Sequence, residues 1–453
     1  MSIVSKSTTR ETIHLPLEIL EKIAFNARDK LYTLMAASLV SKIWRAAFLR
    51  YIFDRAIFGM KHDFTHWQAV TLALPEVLNY LRDITFAPGV QFYAQSMARY
   101  HSRAEEFDEP VLTRKLADAA SEYYKSLVDI ALPPDIPLPI IPGAKRLTWA
   151  TGFTQRMGRD MQTLTPATFR FLQSFPAVEV LSIEDEIPGE HVHDILCHFP
   201  LLKSFTWTRA SVGRQLPGRR GFTSQFTAVL SHLEVLALND PGAMVNPDPE
   251  YHYDWLVDMI LSGDTPAPLR EILIRVEQPF PFSVTAFARL LSAAAPTLQT
   301  LDIMLKPSID KTFWKQVHSL TANAAFLALN KIKLAFPIDD WQDHDHERQW
   351  LTSVLVSIST APNVTHIDIV YAIDRSSADL FTVLDFWEPV DPWEEFCNTL
   401  NARYPNLRTL RVGMAQQTTP GRNAKHVERN VLRALRPLKA DVTVEWLEDE
   451  ENY

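Results

Sequence analysis

Along most of the chain, apolar residues return in one short pattern: an apolar position, two others, a second apolar position, one other, and a third. It is first seen at Leu81, Ile84 and Phe86, and more faintly at Ala144, Leu147 and Trp149. It becomes regular at Val178, Leu181 and Ile183, then at Leu202, Phe205 and Trp207, and at Leu233, Leu236 and Leu238. Leu269, Ile272 and Ile274 follow, then Leu298, Leu301 and Ile303, then Leu329, Ile332 and Leu334. Val364, Ile367 and Ile369 lead to Leu407, Leu410 and Val412. The second and third positions alternate as in a short strand with one buried face, and the first lies across a turn. Many copies follow a proline, as at Pro176, Pro200, Pro268, Pro296, Pro362 and Pro405.

Between these phrases the apolar spacing is helical, for example at Phe287, Leu290 and Leu291, at Leu351, Val354 and Leu355, and at Phe396, Cys397 and Leu400. A proline soon after such a helix stops it and sets up the next strand. The regular copies recur every roughly 25 to 45 residues, the range of solenoid units. One unit cannot bury its own apolar face, but a stack can. The pattern therefore predicts an α/β solenoid with short parallel strands inside and helices outside. It resembles a degenerate leucine-rich repeat, without the family's regular asparagine after the strand (Asn239 is the nearest) and with uneven repeat lengths. Residues 427–435 read as a last helix stopped by Pro437, and Val442, Val444 and Trp446 as a last strand, the two forming a C-terminal cap. Residues 91–142, 209–220 and 240–253 interrupt the series. The first holds a charged helical segment and a proline-rich connector, the second is a basic loop, and the third is an acidic loop with aromatics.

Residues 15–53 have a different character. Their spacing predicts three short amphipathic helices. Pro16 opens the first, where a missing N–H costs little, and Leu20, Ile23 and Ala24 line one face. Asp29 is a plausible N-cap for the second, which carries Leu31, Leu34, Met35 and Ser38 on one side. The third carries Ile43, Trp44, Ala47, Phe48 and Tyr51. About 40 residues of this kind bury too little surface to be very stable alone. Apolar surface left over is expected to meet a partner.

The same residues resemble an F-box: the Leu-Pro at 15–16, the Glu-Ile-Leu at 18–20, and the Val-Ser-Lys-Ile-Trp phrase at 40–44. Ser41 stands where a Cys is common. In that family three helices dock on a Skp-type adaptor, which joins them to a cullin–RING ubiquitin ligase. The resemblance implies Leu15, Pro16, Ile19, Leu20, Leu39, Val40 and Trp44 as adaptor-binding residues. Leu15, Pro16, Ile19 and Val40 would lie at or near the adaptor surface, while Trp44 would tie the third helix to its neighbours.

Composition narrows the picture. The chain has 453 residues, 47% hydrophobic and 22% charged, which is globular. A net charge of −9 and a pI near 5.9 argue against non-specific nucleic-acid binding. Cys197 and Cys397 form no disulfide or metal spacing, and no apolar run reaches membrane-spanning length. Cytoplasmic or nuclear residence is the expectation, with no membrane partner, no nucleic-acid partner and no cofactor.

Candidate chemistry is sparse. Residues 343–347 alternate aspartate and histidine and end in glutamate, but consecutive ligands seldom converge on one ion, so they are expected to open a helix instead. His191, His193 and His198 are expected as surface histidines. There is no nucleophile elbow, phosphate-binding loop or dinucleotide fingerprint, and no catalytic residue is assigned. Arg214, Arg219 and Arg220 in the basic loop are candidate target-binding residues, as are Trp387 and Trp393, which would be exposed anchors in a proline-containing loop. Trp149 and Trp207 occupy third apolar positions and are expected in the core.

The expected organisation is thus a disordered start at 1–13, an F-box at 14–58, a leucine-rich-repeat-like solenoid at 59–446 and an acidic tail at 447–453. The functional expectation is a substrate receptor of a Skp–cullin–F-box ubiquitin ligase binding an unidentified target protein. A repeat scaffold with no ligase role, its first helices only a cap, is the competing reading.

Overall fold

The computed structural model describes residues 15–28, 30–58, 61–86, 139–149, 166–184, 189–208, 230–240, 253–263, 265–276, 282–304, 311–338, 344–358, 361–373, 387, 391–416 and 424–447. Twelve strands form one parallel sheet in which spatial order is sequence order. They are β1 (Arg55–Phe58), β2 (Asp83–Phe86), β3 (Arg146–Trp149), β4 (Val180–Ile183), β5 (Ser204–Thr208) and β6 (Val235–Asp240). The sheet continues with β7 (Glu271–Val276), β8 (Thr300–Met304), β9 (Lys331–Ile338), β10 (His366–Ile373), β11 (Thr409–Gln416) and β12 (Asp441–Leu447). An unbroken sequential parallel sheet with crossovers on one face is the solenoid that the phrase predicts.

The phrase sets the register. Its second positions form one ladder, running from Ile84 through Leu147, Leu181, Phe205 and Leu236 to Leu410 and Val442. Its third positions form the next, from Phe86 through Trp149, Ile183 and Trp207 to Val412 and Val444. Up to β11 every side chain in both ladders is buried, and Trp149 and Trp207 lie in the core as expected. A one-residue slip would turn both ladders out to solvent, so the register is strongly specified. The first positions, such as Leu233, Leu298 and Val364, are buried beneath the turn that enters each strand.

At that turn one carbonyl accepts from two successive N–H groups of the next repeat. Lys203, for example, takes those of Glu234 (2.7 Å) and Val235 (2.9 Å). The polar residue after proline in the later phrases ties neighbouring turns together. Thr297 Oγ1 donates to the Leu269 carbonyl (2.8 Å), Asn363 Nδ2 to that of Leu327 (2.7 Å), and Asn406 Nδ2 to that of Pro362 (2.9 Å).

Three helices precede the sheet: α1 (Leu17–Asn26), α2 (Leu31–Ser38) and α3 (Lys42–Ile52). The others are α4 (Lys61–Ala73), α5 (Pro166–Gln173), α6 (Gly189–Leu196), α7 (Asp254–Leu261), α8 (Val284–Ala294), α9 (Lys311–Thr321), α10 (His344–Ser357), α11 (Asp391–Arg403) and α12 (Ala424–Ala434). Their apolar faces meet the two ladders in one continuous core, to which α8 contributes Phe287, Leu290 and Leu291. Ser283 caps α8, its Oγ accepting from the Ala286 N–H at 3.2 Å. The opposite face of the sheet carries the intervening, mostly polar residues.

The details differ from expectation in three places. The sheet starts at Arg55, inside the 14–58 segment, because Phe53, Ala56 and Phe58 are themselves a copy of the phrase with alanine in the middle. Pro16 sits at the N-cap of α1, just before the first turn, and Asp29 lies outside the described residues. On α2, Leu34 is buried while Met35 is 49% exposed, so these two do not share a core face.

Candidate functional site

The helices α1–α3 have a small core of their own: Leu20, Ala24, Leu34, Ala47 and Phe48, with Trp44 and Tyr51 half-buried against it. Ser41 caps α3, its Oγ accepting from the Trp44 N–H at 3.4 Å. Glu21 on α1 pairs with Arg50 on α3 (3.3 Å), and the Phe25 and Tyr51 rings meet edge to face at 6.3 Å. The chain then passes from α3 into β1, where the Asp54 carbonyl accepts from the N–H groups of Arg82 and Asp83. Burial and the nearby Asp83 carboxylate raise the Asp54 pKa above the ordinary aspartate value.

What this subdomain does not bury is its distinctive property. Ten of the seventeen exposed large apolar side chains among the described residues fall within residues 15–43. Leu15 precedes α1, which carries Leu17, Ile19, Ile23 and Phe25; Tyr32 and Met35 lie on α2, Leu39 and Val40 at the α2–α3 joint, and Ile43 in the first turn of α3. Leu39 is 85% and Val40 66% exposed. Isolated apolar residues on a surface are ordinary, but a concentration like this one marks an interaction surface.

Of the seven adaptor-binding candidates, Leu15, Pro16, Ile19, Leu39 and Val40 are exposed and Trp44 is half-buried, stacked on Phe48 at 5.5 Å. Leu20 is the correction. It is buried in the three-helix core with Ala24, because the helical period turns both away from the face that Ile19 and Ile23 present.

Trp387 and Trp393 are also corrected. Both are buried, their rings stacked at 4.0 Å and 13°, with Tyr371 at 6.1 Å from Trp387 and Phe396 at 5.2 Å from Trp393. Trp393 lies in the first turn of α11 on the side facing the sheet, so the pair extends the core and offers no contact surface. Arg214, Arg219 and Arg220 lie outside the described residues. His193 is buried beside Trp255 (5.6 Å) and not on the surface; His198 is half-buried, and the His191 side chain is outside the described set. Of residues 343–347, His344 starts α10 and the side chains are outside the described set.

The open face of the sheet holds a feature that the sequence reading missed. Between the two apolar ladder positions, successive strands β8–β11 carry Asp302, Lys333, Asp368 and Arg411 in register. Arg275 pairs with Asp302 (2.6 Å) and Lys333 approaches it at 3.8 Å. Asp368 holds Arg411 (3.0 Å) and Lys331 (3.1 Å), and Arg411 reaches on to Glu445 (3.2 Å). Asp302 and Asp368 are buried, and burial lowers the Lys333 pKa below the ordinary lysine value. Beside this band Ala335 and Val370 form a small apolar strip with Met304 and Leu447. Gly413 leaves room for it, since a Cβ there would meet Leu447 Cδ1 at 3.0 Å and Val370 Cγ2 at 3.3 Å. The signal was present as a charged residue between the last two apolar positions of consecutive phrases. Each such residue, taken alone, reads as a solvated one.

Among the described residues, no three His, Cys, Asp or Glu side chains gather as metal ligands, and no helix is long and apolar enough to cross a membrane. The Cys397 thiol is buried, which pushes its pKa up to about 11 and keeps it protonated and unreactive. A shallow groove between α7, α8 and α9 is lined by Leu261, Ala288, Ser292 and Leu320, with one titratable group, Arg289, which pairs with Asp258 at 2.9 Å. No family model matches the chain, and no curated protein matches it.

Proposed function

We propose that the chain is the substrate-recognition subunit of a Skp–cullin–F-box type ubiquitin ligase. In this reading α1–α3 dock a Skp-type adaptor, and the solenoid holds a target protein. The observation that carries it is the concentration of exposed apolar side chains on α1, α2 and the α2–α3 joint, in the stretch whose sequence resembles an F-box. A helical cap would bury that surface against the first repeat. Here the small core is formed by the other faces of the helices, and Ile19, Leu39 and Val40 remain available.

The chain itself would perform no chemistry. Transfer would fall to other subunits, and this one would raise the effective concentration of target near the transfer site. The intracellular setting is part of the same proposal.

Replacing Ile19 and Val40 together by aspartate separates this reading from a scaffold with no ligase role. Both side chains are exposed, so the melting temperature should stay within about 2 °C of wild type while capture by a co-expressed Skp-type adaptor is lost. A variant that unfolds, or one that still binds the adaptor, would contradict the proposed surface.

A further inference from the structure

The last helix, α12, keeps a charge arrangement that its own stability does not favour. Val427, Val431 and Ala434 are buried in the core, and the helical period turns Lys425, Arg429 and Arg433 to the opposite side, away from the sheet. These three form one exposed row at four-residue spacing, and the exposed Arg436 and Lys439 extend the cationic stretch beyond the helix. Glu428 is the only acid from residue 425 to residue 439, in a chain that has 45 Lys and Arg against 54 Asp and Glu. Helix α11 lies alongside, where the Cys397 thiol meets the Ala434 carbonyl at 3.9 Å, and it exposes Glu394 and Glu395. Even so, among the described residues none of the five cations forms an ion pair.

Two rules of helix design are broken here at once. Like charges four residues apart repel, so Lys425 with Arg429 and Arg429 with Arg433 both oppose the helix. The first turn carries Lys425 and no acid, where the positive end of the helix dipole favours an acid. The row faces away from the core, so neither departure improves packing. A local rule broken with no return in folding points to a surface kept for binding.

We infer that the outward face of α12 docks an acidic helix of a partner protein, whose carboxylates lie along the row Lys425, Arg429 and Arg433. Each step of the row is about 6 Å, the step between acids four residues apart on the partner helix, so the two rows match over their length. Leu432, 41% exposed and beside the row by the helical period, gives that helix an apolar contact. A second copy of the chain fits poorly, because a two-fold pairing of this face would set one cation row against another. A bilayer or a nucleic acid is broad enough to meet the rest of a chain whose net charge is −9, whereas a short acidic segment feels mainly charges within a Debye length of about 8 Å. The inference does not depend on the adaptor reading.

The test is fluorescence anisotropy on the full chain with a labelled, alanine-rich helical peptide of about fifteen residues carrying glutamates four apart on one face. The same peptide with lysine for glutamate is the control. The acidic peptide should bind the wild type, more weakly as salt rises, and at least about tenfold less tightly to Arg429→Glu. Lys315→Glu, which reverses an exposed cation on α9, should leave binding unchanged. Arg429→Glu turns both like-charge pairs into attractive ones, so its melting temperature should hold or rise, which separates lost docking from lost folding. Failure of the acidic peptide to bind, equal binding of the lysine peptide, or unchanged affinity with Arg429→Glu would overturn the inference. So would binding to phosphatidylserine vesicles, or self-association in sedimentation, that Arg429→Glu abolishes; these would assign the face to a membrane or to a second copy.

Discussion

Removing the Trp393 indole would take away one face of the stack with Trp387 and the edge contact with Phe396. Trp393→Ala should cost about 3–5 kcal/mol, measured by denaturant unfolding, because the site is buried on all sides. A loss within about 1 kcal/mol would mean that the two tryptophans are at the surface after all. Glu179 makes a different kind of contribution. Its carboxylate accepts from Lys145 and from Lys203 (2.7 Å) on the flanking turns, and those two lysines hold its pKa below the ordinary glutamate value. A depressed acid stabilises the fold above its unfolded pKa, and that stability is lost as pH falls through the folded one. Glu179→Gln should therefore lower the melting temperature slightly at neutral pH, and the wild type and variant should converge below the carboxylate range. A constant difference at all pH values would contradict the assignment. Both residues show the limit of reading side chains from local sequence. Pro-rich surroundings made Trp393 look exposed, and only the placement of α11 against the sheet shows which way it faces.

Elements were easier to read than single residues, because a phrase repeated many times averages out local ambiguity. The strand positions of all ten phrases fall in two continuous ladders, and the intervening helical stretches cover one face of the sheet. β1 escaped notice because Ala56 is a weak signal at the middle position, although Phe53 and Phe58 complete the phrase. The ion-pair band from Arg275 to Glu445 escaped because its members lie on six different strands, β7 to β12, and meet only through register. Within the phrases, the residue after proline has a function that pattern alone does not show. Asn406 Nδ2 donates to the Pro362 carbonyl, closing one turn on the next. Asn406→Ala should destabilise by about 1 kcal/mol in denaturant unfolding, the net worth of one such bond, with no change in far-ultraviolet circular dichroism. No measurable loss would show that solvent replaces the bond without cost.

For the molecule as a whole, the division is between a solenoid that buries its apolar residues and an N-terminal subdomain that does not. The solenoid's strands satisfy each other, neighbour by neighbour, as far as β12, the last of the described strands. The α1–α3 unit keeps Leu20, Ala24, Leu34, Ala47 and Phe48 inside and leaves ten large apolar side chains outside. Of the seven adaptor-binding candidates, Leu15, Pro16, Ile19, Leu39 and Val40 are exposed, while Leu20, read with them, is core. A target for the proposed receptor is not legible in the same way, since a sheet face assembled from one or two residues per strand follows no local motif. The most direct measurement is co-expression with a Skp-type adaptor, followed by size-exclusion chromatography with light scattering. The account predicts a stable one-to-one complex whose mass is the sum of the two chains and which is absent with Ile19→Asp plus Val40→Asp. A folded chain that elutes alone beside the adaptor would contradict the receptor reading and leave a protein-binding scaffold.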